Sequence, residues 1–449
     1  TYTMTGVNGE TGATVGTVDV SGTTHTNAGT YTGDIWTFTG TNYSSQTSTV
    51  DNVINKAATT TVVSITGGPF TYNGAAQTPA TVSVTGAGGL SLSPTASYSN
   101  NTNAGTATAS YSFAGDTNYL ASSNSSTFTI DRAASTTVVS ITGGPFTYSG
   151  SAQTPATVSV TGAGGLNLTP VASYSNNTDA GTATASYSFA GDTNYLASSN
   201  SSTFTIARAA STTVVTTAVG TFQYTGSAIT PATVSVTGAG GLNLTPVASY
   251  SNNVNAGTAT ASYSYAGDAN HEPSSDSEGF QIVLAPTVLE YRVLFGSQSY
   301  NLIGSSRVVL PWNITAVQVV FSKPIYAGGL SSLTGVATTG FSGLGTNTLT
   351  WTVNAISLGR FSTMLSGTGS TALKDQFNFP LSAGGYSQSF NVLYGDFNGD
   401  GTVSSADLNS VNTARTASFN LLADINGDGR VDAADVSIVR AKIGKRLPS

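Results

Sequence analysis

The string NAGTATASYSFAGD at 103–116 returns as DAGTATASYSFAGD at 179–192 and as NAGTATASYSYAGD at 255–268, each copy 76 residues after the last. A looser version, NAGTYTGDIWTFTG, stands 76 residues earlier at 27–40. A period of this size constrains the fold before any local reading, because each copy must form the same supersecondary unit. The period phases on KAATTTVVS (56–64), RAASTTVVS (132–140) and RAASTTVVT (208–216), which gives full repeats at 57–132, 133–208 and 209–284 after a partial one at 1–56. Shifting the partial copy by 76 places Thr1 opposite Gln77, so the counterparts of Ala57–Ala76 are missing from it. In the full repeats that segment holds the strand candidates TTTVVSI and PFTYNG. Two expectations follow for 1–56: the chain is a piece of a longer protein, or a neighbouring molecule supplies the strand by β-strand addition, since an open edge invites pairing.

Within a full repeat the hydrophobic period is two. Ala107, Ala109, Tyr111 and Phe113 point one way and Thr106, Thr108, Ser110 and Ser112 the other. The same alternation occurs at Val63/Ile65, Val82/Val84 and Phe128/Ile130, and it describes half-buried strands with a Ser/Thr solvent face. Turn signals separate them, among them Gly67-Gly68-Pro69, Asn73-Gly74 and Gly86-Ala87-Gly88-Gly89. The expected fold class is mainly β: tandem small all-β domains in a row, of sandwich or grasp-like type.

Composition narrows the function classes. A net charge of −7 with only 8% charged residues argues against nucleic acid, which needs a basic surface. Cysteine is absent, which excludes disulfides, thiolate catalysis and Cys-ligated zinc. No apolar run is long enough to span a membrane. No charged and apolar leader follows Thr1, so a secretion signal would be cleaved or lie outside this sequence, and the expectation is a secreted or cell-surface protein.

The pattern YNGAAQTPATVSVTGAGGL…SYSNNTNAGTATASYSFAGDTNY…FTI resembles the MBG-type repeats of large bacterial surface proteins and adhesins. The resemblance implies an extracellular stalk or adhesive module rather than an enzyme. The third copy departs at HEPSSDSEGFQI (271–282), as a terminal unit that caps the array would. Region 285–394 breaks the period; its stretches LEYRVLFG, AVQVVFS, NTLTWTV and GRFSTMLSG read as strands. TAVQVVFSKPI resembles the start of bacterial Ig-like domains, implying an Ig-like β-sandwich. Trp312 and Trp351, beside this alternation, are expected to anchor its core.

Ligand spacing occurs in the remaining region, 395–449. DFNGDGTVSSAD (396–407) and DINGDGRVDAAD (424–435) are twelve-residue loops offset by 28 residues, both fitting D-x-N-x-D-G-x5-D. Calcium is a hard cation that takes six to eight oxygens, and alternate residues of a tight loop can aim them at one centre. In the first loop the ligands would be Asp396, Asn398, Asp400, the Thr402 carbonyl, Ser404 and Asp407. In the second they would be Asp424, Asn426, Asp428, the Arg430 carbonyl, Asp432 and Asp435, so two Ca2+ ions are expected. Gly401 and Gly429 take the sixth position, where the backbone turns sharply. Without a counter-ion so many carboxylates would repel one another. Short helices are expected at Ser405–Arg415 and Ala433–Ile443, with no convincing incoming helix before either loop.

A loop-helix duplicate at about 390–445 resembles a type I dockerin, and Asp at position twelve of each loop agrees with that family. The resemblance implies calcium-dependent docking to a cohesin-like domain through loop positions ten and eleven, here Ser405, Ala406, Ala433 and Ala434. These lack the Ser-Thr pair often found there, so a neighbouring surface protein is an alternative partner.

Other signals carry less. The Gly-Asp-x-Asn sets at Asp116/Asn118, Asp192/Asn194 and Asp268/Asn270 read as polar turns rather than calcium sites. His25 and His271 read as isolated surface residues, and no nucleophile–base pair can be built from them, so no catalytic residue is assigned. The leading reading is an extracellular structural or adhesive stalk or fibre protein with a calcium-dependent docking end. Alternatives are the non-catalytic C-terminal part of a secreted enzyme whose catalytic domain lies upstream, and a self-assembling filament subunit, a homopolymer completed by strand exchange.

Overall fold

A computed structural model describes residues 2–218 and 220–449; Thr1, where the partial repeat opens, and Val219, inside the 209–284 repeat, lie outside the described residues. The chain forms two compact units. One runs to Ala209 and includes the loop Asp268–Glu272, and the other takes Ala210–Gly267 and Pro273–Ser449.

In the repeat at 57–132, Thr59–Ile65, Ala80–Gly86 and Leu90–Leu92 form an antiparallel three-stranded sheet. It faces a four-stranded sheet in the order Phe70–Thr71, Ser122–Asp131, Gly105–Phe113, Ser97–Ser99, whose first pair is parallel. Two facing sheets with no helix between them make a small sandwich. The alternation read from sequence lands where expected: Val63, Val82, Val84, Ala107, Ala109, Phe128 and Ile130 are buried, while the Thr and Ser between them face outward or lie half-buried. Ala107 sits directly across from Phe128, so a small side chain makes room for a large one. The Phe128 ring meets Phe70 edge-on with centroids 5.3 Å apart. A buried hydroxyl recurs in each of the three full repeats and is satisfied in all of them, as Thr61 with Ser122 at 2.6 Å and Thr137 with Ser198 and Thr213 with Ser274 at 2.7 Å.

The second and third repeats reproduce the order of both sheets. Residues 2–56 hold one sheet, in the order Gly16–Asp19, Gly29–Gly40, Gln46–Ile54. Among its described residues Val15 is the one buried apolar side chain, while Ile35, Val50 and Val53 are exposed. Trp36, Phe38, Val18 and Met4 line an open groove of about 450 Å³.

The Gly-Asp-x-Asn sets are polar turns. Asp116 Oδ1 accepts from the amides of Asn118 and Tyr119, and Asp192 and Asp268 repeat the arrangement. The Asn of each set does something the sequence did not suggest. Asn118 Oδ1 accepts from Ala28 N at 2.7 Å, Asn194 from Ala104 N at 2.9 Å and Asn270 from Ala180 N at 2.8 Å. Their Nδ2 groups donate to Asn27, Asn103 and Asp179. Each is a clasp between the NAG or DAG tip of one copy and the turn of the next.

The histidines correct the expectation of surface residues. His271 is buried, bonded through Nδ1 to Asp268 and set edge-on to Tyr148. It occupies the position held by Tyr119 and Tyr195 in the other copies, and an imidazole fills the same slot with a polar tip that the turn aspartate accepts. His25 is half-buried, stacked on Tyr31 at 3.5 Å, with Nε2 at 2.6 Å from Asp34. That hydrogen bond, with one from Asn52, holds the Asp34 carboxyl below the usual value of 3.8.

Past the repeats, a five-stranded sheet runs in the order Gln298–Asn301, Val288–Phe295, Ile314–Ile325, Thr346–Ile356, Thr338–Ser342. It packs on a four-stranded sheet ordered Val309–Leu310, Gly385–Leu393, Leu358–Ser366, Leu333–Thr334. The four stretches read from sequence are all strands. Trp312 and Trp351 are fully buried in the shared core with Tyr291, Phe295 and Phe321. Gly385–Leu393 then leads straight into the first acidic loop.

Candidate metal centre

The two loops share one frame of hydrogen bonds. Asp396 opens the first: Oδ1 accepts from Gly399 N at 2.7 Å and Oδ2 from Gly401 N at 2.9 Å. Asp424 opens the second, accepting from Gly427 N at 2.9 Å, Gly429 N at 2.8 Å and, with no counterpart in the first loop, Asp428 N at 3.1 Å. The last aspartates reach back across each loop. Asp407 accepts from Asn398 N and Ser404 N, and Asp435 from Asn426 N and Asp432 N, all at 2.8–3.1 Å. Between them, Asn398 and Asn426 accept from the amides of Asp400 and Asp428 and donate to those carboxylates at 2.8 Å. Gly401 and Gly429 have φ of +86° and +90°, the left-handed conformation that glycine adopts without strain.

The helices start where the loops end. α1 spans Ser405–Ala414 and α2 Ala433–Lys442, each one residue shorter than expected at its C-terminal end. Ser404 and Asp432, read from sequence as position-nine ligands, are the N-caps. Their side chains accept from Ala406 N at 3.1 Å and Ala434 N at 2.7 Å, within capping boxes completed by Asp407 and Asp435. The signal for this, Ser or Asp three residues before Asp, was in the sequence. Before the loops stand a β-strand and a short 3₁₀ turn at Leu421–Ala423, so there is no incoming helix at either.

Burial divides the ligand set. Asp396, Asp407, Asp424 and Asp435 are fully buried, whereas Asn398, Asp400, Asp428, Arg430 and Asp432 are exposed and Asn426, Thr402 and Ser404 lie between. No Lys, Arg or His side chain forms an ion pair with the four buried carboxylates among the described residues. Burial pushes the Asp396 carboxyl up, with the Asp407 and Asp400 charges adding to it against the Gly401 and Gly399 amides. Burial likewise raises Asp424 against its three amide donors. Among the described residues no group of three acidic or imidazole side chains gathers tightly around one point; the carboxylates are turned onto the amides of their own loops. The donors near each loop are nevertheless all oxygens, from carboxylates, amides and carbonyls, with no imidazole or thiolate. A hard divalent cation fits that chemistry and would supply the charge that buried carboxylates require.

Ser405, Ala406, Ala433 and Ala434, the expected docking residues, are exposed at the first turns of α1 and α2. Behind them Val403, Val411, Ala423, Ile425, Val436 and Val439 form a buried core. Sequence reading missed two side chains that touch the loops from the preceding β-domain. Arg307 Nη2 donates to the carbonyls of Asp396 and Phe397, and Trp312 Nε1 to those of Asp424 and Leu421.

Residues 394–444 match the family described as dockerin type I domain. Domains of this type bind calcium and dock to cohesins. No curated protein matches the sequence. Among solved structures, the chain is similar to a tetra-tandem repeat in the extending region of a large adhesion protein, at 15% identity and a TM-score of 0.25. That match covers 75% of this chain and 99% of the other. It is also similar to invasin, a bacterial integrin-binding protein, at 13% identity and a TM-score of 0.25, over 80% of this chain and 84% of the other. Scores this low carry no functional argument. No helix among the described residues is long and apolar enough to cross a membrane.

Proposed function

We propose that the chain is an extracellular structural or adhesive stalk whose C-terminal module docks to a cohesin-like partner when two calcium ions occupy its loops. The observation that carries this reading is the duplicated loop: two buried carboxylates in each, held in the same hydrogen-bond frame, inside residues matched to a docking family. Side-chain oxygens of Asp396, Asn398, Asp400 and Asp407, with the Thr402 carbonyl and Ser404, would hold the first ion. Asp424, Asn426, Asp428, Asp435, the Arg430 carbonyl and Asp432 would hold the second. Bound calcium supplies the positive charge that offsets carboxylate repulsion and desolvation.

The chain's own residues convert that charge into a surface. Asp407 and Asp435 belong both to a loop and to the first turn of a helix, so fixing the loop fixes the helix start. The exposed Ser405-Ala406 and Ala433-Ala434 pairs are thereby presented in related settings to a partner. The repeats support a stalk role through their clasps, in which the same side-chain geometry recurs from copy to copy and joins one to the next. Calcium titration of the chelator-treated full chain by calorimetry, followed by capture of a cohesin-type domain with and without chelator, tests the proposal. Two equivalents of calcium and capture in calcium alone are expected. Absence of calcium uptake sinks the metal reading, and calcium uptake without capture sinks the cohesin reading.

A further inference from the structure

The two loops are gripped from outside at the same atom by unrelated donors. In the first, Arg307 stands just before the Val309–Leu310 strand of the β-domain, its Nε bonded to Val309 O at 2.5 Å. Its Nη2 donates to the carbonyl of Asp396 at 2.8 Å and to that of Phe397 at 2.6 Å. In the second, the fully buried Trp312 is stacked on Phe295 with centroids 4.0 Å apart. Its Nε1 donates to the carbonyl of Asp424 at 3.1 Å and to that of Leu421 at 3.3 Å. Asp396 and Asp424 are position one of their loops, so each first ligand residue is held by its main chain while its carboxylate faces the loop.

Position four is gripped as well. The Arg307 guanidinium lies across Gly399, 3.1 Å from where a β-carbon would stand. In the second loop, Ser297 donates from N at 2.6 Å and Oγ at 2.9 Å to the Gly427 carbonyl. Gly427 has φ of +72°, and a side chain there would run into the Phe295 carbonyl. The apolar cores interlock in the same place. Val309 and Leu393 of the β-domain belong to the core of the loop-helix module, and Leu421 and Leu422 pack against that of the β-domain.

We propose that Arg307 and Trp312 are positioning residues for the two calcium loops, one for each, and that calcium binding is thereby coupled to the stability of the β-domain at 285–393. The inference rests on the calcium reading above. Ordering of a loop carbonyl by a donor on a second folded body lowers the cost of ordering the loop around an ion. By linkage, the ion then stabilises that body by the same free energy.

The test uses the full chain in two backgrounds, Asp424→Ala to leave the first loop and Asp396→Ala to leave the second. In calcium titration, Arg307→Ala is expected to weaken the first loop about tenfold, the size of losing a charge-assisted hydrogen bond, and to leave the second unchanged. Trp312→Phe, which keeps a stacked ring and removes the donor, is expected to do the reverse. Arg307→Lys, able to reach one carbonyl but not to span three, should fall between. Hydrogen exchange in the Val288–Phe295 and Ile314–Ile325 strands should slow on adding calcium to the parent chain and respond less in the variants. Unchanged affinities, or exchange in the β-domain indifferent to calcium, overturns the proposal. So does a variant that loses as much protection in chelator as in calcium, because its role is then structural alone. A parent chain that takes up no calcium overturns the calcium reading instead, with the coupling falling as its corollary.

Discussion

At Asp116-Thr117-Asn118 an exposed carboxylate accepts two amides of its own turn, and the neighbouring Asn clasps the previous copy. At Asp396-Phe397-Asn398 the carboxylate also accepts two amides, yet it is fully buried and has Asp400 and Asp407 beside it. The opening letters match; the surroundings do not. One carboxylate in water is satisfied by two N–H groups and the turn is complete. Several carboxylates taken out of water leave a charge that hydrogen bonds lessen but do not cancel. The Asp-x-Asn string thus specifies a backbone turn in both places, and burial with added acid determines whether a cation is called for.

Chelation should separate the two regions most sharply. Saturating calcium is expected to raise the melting transition of the 285–449 region on the order of 5–10 °C in scanning calorimetry, with the repeats' transition unmoved. A repeat transition that shifts equally would erase the distinction. Next in size, Asp396→Ala or Asp424→Ala should each abolish one equivalent of calcium in equilibrium dialysis. The matching change Asp116→Ala should leave calcium uptake whole and cost about 1 kcal/mol in denaturant unfolding, as loss of a turn hydrogen bond does.

Asn194→Ala removes both halves of a clasp and should destabilise the repeats by about 1–2 kcal/mol in urea titration, with calcium affinity unaltered. Asn194→Asp retains the acceptor for Ala104 N but not the donor to Asn103, and should cost less. The smallest effect belongs to Asp34, a third kind of aspartate, held by side chains. Its carboxyl lies below the usual 3.8 chiefly through the His25 hydrogen bond. A depressed folded-state value means the contribution is present above pH 3.8 and lost as pH falls through the lower folded value. Urea midpoints measured between neutral and strongly acid pH should therefore show a shallower acid decline in His25→Ala than in the parent chain.

The period and the alternation carried the sheets, because each strand's pattern is set by its own residues and by copies under the same constraint. Thr59–Ile65 and the Ala107/Ala109 face were legible for that reason. The acidic loops were legible because every ligand position lies within twelve residues. What escaped depends on partners far along the chain. The Asn194 clasp joins residues 90 apart, and Arg307 and Trp312 meet carbonyls 89 and 112 residues away. No local pattern marks which loop a lone Arg will touch. His271 is different: the column it shares with Tyr119 and Tyr195, a buried or half-buried aromatic slot, was visible by aligning the copies.

The interlocked apolar side chains at Val309, Leu393, Leu421 and Leu422 bear on how this end of the protein can be borrowed. A recombinant fragment cut at residue 394 would leave behind Leu393 and Val309 from its own interior, together with the Arg307, Trp312 and Ser297 donors. The transferable piece is the span 285–449, and a fusion tag made from it should carry its sandwich along.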